Sequence, residues 1–342
     1  MTAARDGDRI NTTEQGGFLT RIVGTGCYLP ERVLDNVEVA RAAGVTSDWI
    51  VRRTGIRARR VAAEGEGTAE MGARAAAAAL EASGLDPGRI DLIVVATATP
   101  DHLTPPTACE IQARIGAFDA ACFDIEAGFA GWIYALILAD ALLRAGTVRS
   151  ALVIGVEKLS TVTDRSDPAT GPLFGDGAGA VVLLPEPGPL SIRASAWWAD
   201  GRLASALLRP AGGALQPFDQ RVLEERSHLL RMEGTRLFRQ AVRTMAKQAR
   251  IALERAGARI DDLGLIVPHQ ANLRIIEALA EELEVPLERV YVNIDRYGNT
   301  GAATIPIALA EAAREGRLPQ DAPVLLVGFG AGATAGAVVL GS

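Results

Sequence analysis

The sequence predicts an α/β layered fold made of two halves built on one plan. Three observations predict it. Apolar strand-like runs and Ala-rich helix-like runs alternate along the chain, as expected where helices cover a sheet. ALEASGLDPGRIDLIVVATATP (79–100) and ALERAGARIDDLGLIVPHQAN (252–272) repeat one order: amphipathic helix, Gly-containing turn, Ile-Asp pair, buried strand, polar loop. The closing segments echo each other too, ALVIGVEKL with FGDGAGAVVLL (151–184) and VLLVGFGAGATAGAVVL (324–340). Two βαβ-type halves in the same order imply a duplicated fold, packed sheet to helix to helix to sheet. A site is expected where strand ends and helix N-termini of both halves meet.

The elements follow in order. Residues 1–18 are polar and read as a disordered extension; 19–185 form the N-terminal half and 186–342 the C-terminal half. TSDWIVRRTGIRARR (46–60) reads as a solvated basic helix end, or as a platform for a flat ring and phosphates, because Arg both stacks and forks onto phosphate oxygens. FDIEAGFAGWIYAL (123–136) is a short apolar strand, a turn at Ala127-Gly128, and a helix with almost no polar face. Such a helix start carries free N–H groups and a positive partial charge, which activate a thiolate; Phe129 stands there instead.

GDGAGA (175–180) and GFGAGATAG (328–336) lack the following helix and the acidic residue that a dinucleotide fingerprint needs. They read as tight hairpins. Residues 185–232 read as one strand and long loops over a pocket. In LIVPHQANLRI (265–275), His269 ends a strand, where α/β sites form. In RYGNTGAATIPIAL (296–309), Asn299 is a helix cap or an amide donor, and the pattern alone favours the cap.

Composition narrows the function. The 342 residues are 49% hydrophobic and 22% charged, with net charge −6. That balance gives no electrostatic case for nucleic acid or an anionic membrane. Cys27, Cys109 and Cys122 are too few and too scattered for a disulfide framework or a zinc site, and Cys122 reads as a small core residue. No metal site is expected. No apolar run has spanning length and the N-terminus has no apolar signal core, so the cytoplasm is the expected compartment.

GTGCYLPERVLDN, SDWIVRRTGIRARR, ATATPDHLTPPTACEIQARIGA, FGDGAGA, VPHQANLRI and YGNTGAATIP occur in this order from about Val23 onward. Together they resemble β-ketoacyl-acyl-carrier-protein synthase III, a condensing enzyme of the thiolase-like superfamily. The resemblance implies duplicated βαβαβαββ halves in a five-layered α/β/α/β/α sandwich and a homodimer. It implies acyl-CoA and acyl or malonyl carrier protein as partners, with coenzyme A or phosphopantetheine thioesters as substrates and no permanently bound cofactor. His269 and Asn299 match the family's catalytic histidine and asparagine. Trp49 and Arg53 match the pair that holds the adenine of coenzyme A. Asn272, Gly234 and Phe238 match the lining of the pantetheine arm, and Arg274 a basic residue near it.

The departures matter as much. Phe129 occupies the family's nucleophilic Cys position. Thr104, Pro168 and Ala335 replace residues that often shape the acyl pocket, hold coenzyme A and close the C-terminal glycine loop. Acids crowd EALAEELEV (277–285), where docking bases are common, while Arg239 and Arg243 remain. The expected activity is acyl transfer or condensation without an acyl-enzyme, in specialised polyketide or fatty-acid-type biosynthesis. The alternatives are a catalytically degenerate carrier-protein-binding subunit, or an engineered Cys-to-Phe variant of an ordinary synthase.

Overall fold

The computed structural model describes residues 19–342; the stretch 1–18, read above as a disordered extension, lies outside the described residues. The main sheet has nine strands: β1 (Arg21–Tyr28), β2 (Leu92–Ala96), β3 (Ala121–Ile125), β4 (Ala151–Lys158), β5 (Asp176–Leu184), β6 (Ser191–Ala199), β7 (Leu265–Pro268), β8 (Val324–Gly330) and β9 (Thr334–Gly341). Their order is β7-β8-β9-β6-β1-β5-β4-β2-β3.

The duplication shows in the pairing. In the first half β1, β5 and β4 are antiparallel neighbours, then β4, β2 and β3 run parallel. In the second half β6, β9 and β8 are antiparallel, then β8 and β7 run parallel. A lone parallel bridge from Ile266 to Val290 stands where a fifth strand would pair. The two sets join edge to edge at a single pair, Arg21 with Ser191.

Helices complete the layers. Seven matter here: α1 (Ser47–Thr54), α2 (Thr68–Ser83), α3 (Thr107–Ile115), α4 (Gly131–Arg144), α5 (Gly234–Ala256), α6 (Leu273–Glu282) and α7 (Thr304–Arg314). Trp132, Leu136, Ile305 and Leu309 of α4 and α7 share one apolar cluster with Val153 of the first strand set and Leu326 of the second. These two helices are therefore the middle layer. An Ala-rich α2 and α3 cover the outer face of the first set, and α5 and α6 that of the second. The result is an α/β/α/β/α sandwich. Among the described residues no helix is long and apolar enough to cross a membrane.

Two local expectations change. GDGAGA is not a hairpin: Asp176 to Ala180 lie inside β5. Its glycines serve close packing, since a Cβ on Gly179 would stand 2.6 Å from Ile307 N of α7. Gly179→Ala is expected to destabilise the fold by about 1–3 kcal/mol through overpacking, read as a lower urea midpoint at unchanged slope. The second run, Gly328 to Gly336, does form the β8–β9 hairpin. The FDI strand is not buried either. It is the edge strand β3, and Phe123 is 36% exposed there. Cys122 is only partly covered, and its sulfur lies 3.2 Å from that of Cys109 on α3. As an edge strand β3 has a paired neighbour on one side only, and in the single chain Ala121 and Phe123 face solvent.

Candidate active site

A cavity of about 500 Å³ opens where the two halves meet. All nine residues singled out from the sequence line it.

The mouth is built by helix starts. Thr46 caps α1 by accepting from Trp49 N at 3.1 Å. One turn later the Arg53 guanidinium lies over the Trp49 ring, 5.0 Å from its centroid. The basic run was read as solvated, and for Arg59 that is wrong: it is wholly buried. Arg59 donates to Asn36 Oδ1 at 2.8 Å and to Pro172 O at 2.7 Å, and burial lowers its pKa to about 10. It anchors the segment that brings Pro172 and Phe174 to the cavity wall.

Opposite, Asn272 caps α6. Its Oδ1 accepts from Arg274 N at 2.9 Å, and its Nδ2 donates to Arg53 O at 3.1 Å. A cap of this kind leaves Arg274 at the cavity edge and ties α6 to α1. Gly234 opens α5, and Phe238 lies one turn on; both line the passage, as does Arg239. Three arginines and no Asp or Glu line the cavity. Such a wall favours an anionic ligand.

The floor holds Phe129, His269 and Asn299. Gly128 takes a positive φ of 54°, which allows the sharp turn into α4, and Glu126 Oε1 accepts from Gly128 N at 2.9 Å. Phe129 is buried. Its ring meets Phe174 edge-on at 5.8 Å and lies 5.7 Å from the His269 ring. Gly330 presses on the same helix start, where a Cβ would come within 2.4 Å of Phe129 N.

His269 follows β7 directly, and its backbone N donates to Val327 O at 2.8 Å. Its Nδ1 lies 2.6 Å from Thr304 Oγ1. Burial pushes its pKa down to about 3, so the imidazole is neutral near pH 7. Asn299 is fixed by its backbone, donating to Leu173 O at 2.8 Å and accepting from Gly175 N at 3.0 Å. Its Oδ1 accepts from Gly301 N at 2.9 Å. This bond closes a two-residue turn and the cap reading does not hold: Thr300 stands at the N-cap of the single turn 301–303, and Ala303 at that of α7. Among the described residues the Asn299 Nδ2 has no hydrogen-bond partner, and the side chain belongs to the cavity wall.

Among the described residues the wall carries no Cys, Ser, Lys, Asp or Glu. Thr54 and Thr235 supply its only aliphatic hydroxyls, and Thr54 Oγ1 donates to Ile50 O at 2.7 Å. The arrangement can hold and polarise a carbonyl with two neutral donors, but it offers no ready nucleophile. Sequence reasoning missed Arg59, Thr304 and a buried carboxyl, Glu157, behind the floor. Arg59 sits in a run of arginines that hides its burial. Nothing in the sequence pairs Thr304 with His269, since 35 positions separate them.

Family models described as 3-oxoacyl-[acyl-carrier-protein] synthase III match residues 123–201, and a C-terminal model of the same description matches 253–342. The β-ketoacyl-[acyl-carrier-protein] synthase III of Roseiflexus castenholzii is 45% identical over 319 residues, covering 93% of this chain and 97% of the relative. The crystal structure of 3-oxoacyl-[acyl-carrier-protein] synthase III from Aquifex aeolicus superposes with TM-score 0.87 at 43% identity, over 94% of this chain and 100% of that one. The priming β-ketosynthase from the R1128 polyketide biosynthetic pathway gives 0.87 at 38%, over 95% and 96%.

Proposed function

This chain belongs to the β-ketoacyl-[acyl-carrier-protein] synthase III family, and we propose that it acts on malonyl-type thioesters through His269 and Asn299 without forming an acyl-enzyme. One observation carries this reading. His269 and Asn299 both line a cavity whose wall, among the described residues, has no thiol, serine, amine or carboxylate, and Phe129, which we take to stand at the family's nucleophile position, lines the same cavity.

The Thr304 hydroxyl has one proton. In the proposed state it goes to Nδ1 across the 2.6 Å contact and not to Gly301 O at 3.1 Å, which leaves Nε2 protonated and able to donate. His269 Nε2–H and Asn299 Nδ2–H then hold the thioester oxygen. The bond to the malonyl carboxylate breaks, CO₂ leaves, and the electron pair passes into the enolate that the two donors stabilise. A proton from water completes the decarboxylation, or the enolate carbon attacks the carbonyl of a second acyl thioester, forming the new C–C bond as the C–S bond breaks and the thiolate leaves to be protonated by water.

The anionic arm of the substrate suits Arg53, Arg239 and Arg274. Trp49→Ala or Arg53→Ala is expected to raise KM for malonyl-CoA about tenfold, the worth of one stacking contact. KM for malonyl-pantetheine, which lacks the nucleotide, stays unchanged. Equal effects on both substrates would place the nucleotide elsewhere. Arg236, Arg239, Arg243, Lys247 and Arg250 recur every three or four residues along the exposed side of α5. A stripe of this kind fits an acidic carrier protein delivering its arm to the mouth. The half-open edge strand β3, with Phe123 and Phe118 exposed beside it, supports a homodimer. Polyketide-type biosynthesis is the setting we propose, as for the R1128 priming β-ketosynthase that this chain resembles.

The test is direct. Malonyl-CoA and malonyl carrier protein are supplied, and CO₂ and protein mass are followed. Release of CO₂ with no mass increase supports the reading. No release from either thioester overturns it in favour of a binding-only subunit.

A further inference from the structure

Glu157 lies near the end of β4 with no exposed surface. No cation pairs with it among the described residues. Thr99 Oγ1 donates to its Oε2 at 2.5 Å, and Ala98 N lies 3.2 Å from both oxygens. Ala302 N approaches Oε1 at 3.5 Å. A buried carboxylate without a cation is costly, and the group escapes that cost by keeping its proton. Burial raises its pKa to about 7.

Its position gives this chemistry meaning. The place where a Cβ on Gly301 would stand is 3.0 Å from Glu157 Oε1 and 3.1 Å from Phe129 Cδ1. Gly301 is also the peptide that organises the floor. Its N–H donates to Asn299 Oδ1 at 2.9 Å, and its carbonyl lies 3.1 Å from Thr304 Oγ1. Thr304 in turn touches His269 Nδ1. This peptide therefore holds Asn299 directly and adjoins Thr304, and Glu157 packs against its back.

Few charges surround the carboxyl. The 97–99 loop, strand β2, the helix start 129–131 and the turn 299–304 carry no charged side chain. Glu126 raises the Glu157 pKa by repulsion. Lys158 is the next residue in β4, but its amine is held by Glu66 O at 2.6 Å. Across the ladder, Asp176 accepts from Ala62 N and Ser160. His269, beyond Phe129, is neutral.

We propose that Glu157 is a positioning residue: as a neutral acid it supports the 299–304 turn from behind, and on ionisation it draws the Ala302 N–H inward and moves Asn299 and Thr304 out of register with the cavity. The proposal rests on the thioester reading of the site for its effect on turnover. An ionised Glu157 also sets a negative charge behind a developing enolate, which raises the barrier further.

The test compares the parent with Glu157→Gln, which keeps the size and hydrogen bonding of the neutral acid. The Gly301 backbone N–H and the Asn299 side-chain NH₂ are followed by NMR from about pH 5.5 to 8.5. In the parent both signals shift through one transition near neutrality; in Glu157→Gln that transition is absent. CO₂ release from malonyl-CoA falls on the alkaline side of the same transition in the parent and stays flat in the variant.

Stability gives a second readout. The folded pKa lies above the unfolded value, so the native state binds more protons between about pH 4.5 and 7. Parent stability relative to the variant therefore declines as pH rises through that window and levels off above it. Parent signals that do not titrate, or that titrate equally in Glu157→Gln, overturn the proposal. If the variant fails to fold, the parent's own signals still decide. Titrating signals without any CO₂ release sink the thioester reading and leave the positioning role standing.

Discussion

His269→Ala is expected to lower CO₂ release from a malonyl thioester by about 10² to 10³ in kcat, the usual cost of one oxyanion donor, with KM little changed. The reason is where the charge appears. The ground-state thioester carbonyl asks little of a neutral donor, whereas the enolate oxygen carries most of a negative charge. An interaction that strengthens only along the reaction appears in kcat. His269 suits this because it is neutral down to about pH 3. It needs no deprotonation to enter the cavity and does not trade protons with solvent at working pH. An acid limb above pH 4 in the rate profile would therefore belong to another group. Unchanged turnover in His269→Ala would remove this residue from the chemistry, and with it the proposed use of the cavity.

Phe129→Cys is expected to do the opposite and create a function. The variant should gain the mass of one acyl group on incubation with acyl-CoA, and condensation should rise by as much as about 10⁶, the scale set by removal of a nucleophile from a cooperating triad. The surroundings are in place. Phe129 lies two residues before Gly131, the first residue of α4, beside the free N–H groups of the helix start, which lower a thiol pKa. His269 lies in ring contact with the present side chain. Truncating the aromatic ring also opens space beside Phe174 for the acyl chain. A thiol that is alkylated by iodoacetamide but never acylated by any acyl-CoA would show that more than the nucleophile has changed.

The layered fold could be read from the sequence because both of its signals are local. The repeat at 79–100 and 252–272 keeps its helix-turn-strand order, and in each copy the strand reappears, as β2 and β7. His269 was visible because a strand end is itself a local feature. What stayed hidden depends on who meets whom. Arg59 is one arginine among several until Asn36 and the Pro172 carbonyl enclose it. Asn299 looks like a cap because it precedes a small-residue helix, but its Oδ1 closes a two-residue turn instead; the free side of its amide becomes meaningful only with His269 in the same cavity wall. Glu157 gave no signal, since an acid at the end of an apolar strand usually marks the way out to water. The edge position of β3 was also invisible, because FDI has the composition of a buried strand and only the sheet order shows that nothing lies beyond it.

The interleaving of the two halves has a temporal consequence. Phe129 belongs to the first half, while His269, Asn299, Phe329 and Gly330 come from the second. The middle layer packs α4 and α7 into one apolar cluster shared by both strand sets. During synthesis the first half emerges with one face of α4 uncovered, and that face stays so until α7, β8 and β9 have followed. The cavity comes into being late, all at once, when the last strand of the fold closes on the others. Until then the nascent chain carries a large apolar surface and half of a site. A fragment ending before β7 would expose the same surface permanently, without the donors that make the cavity useful.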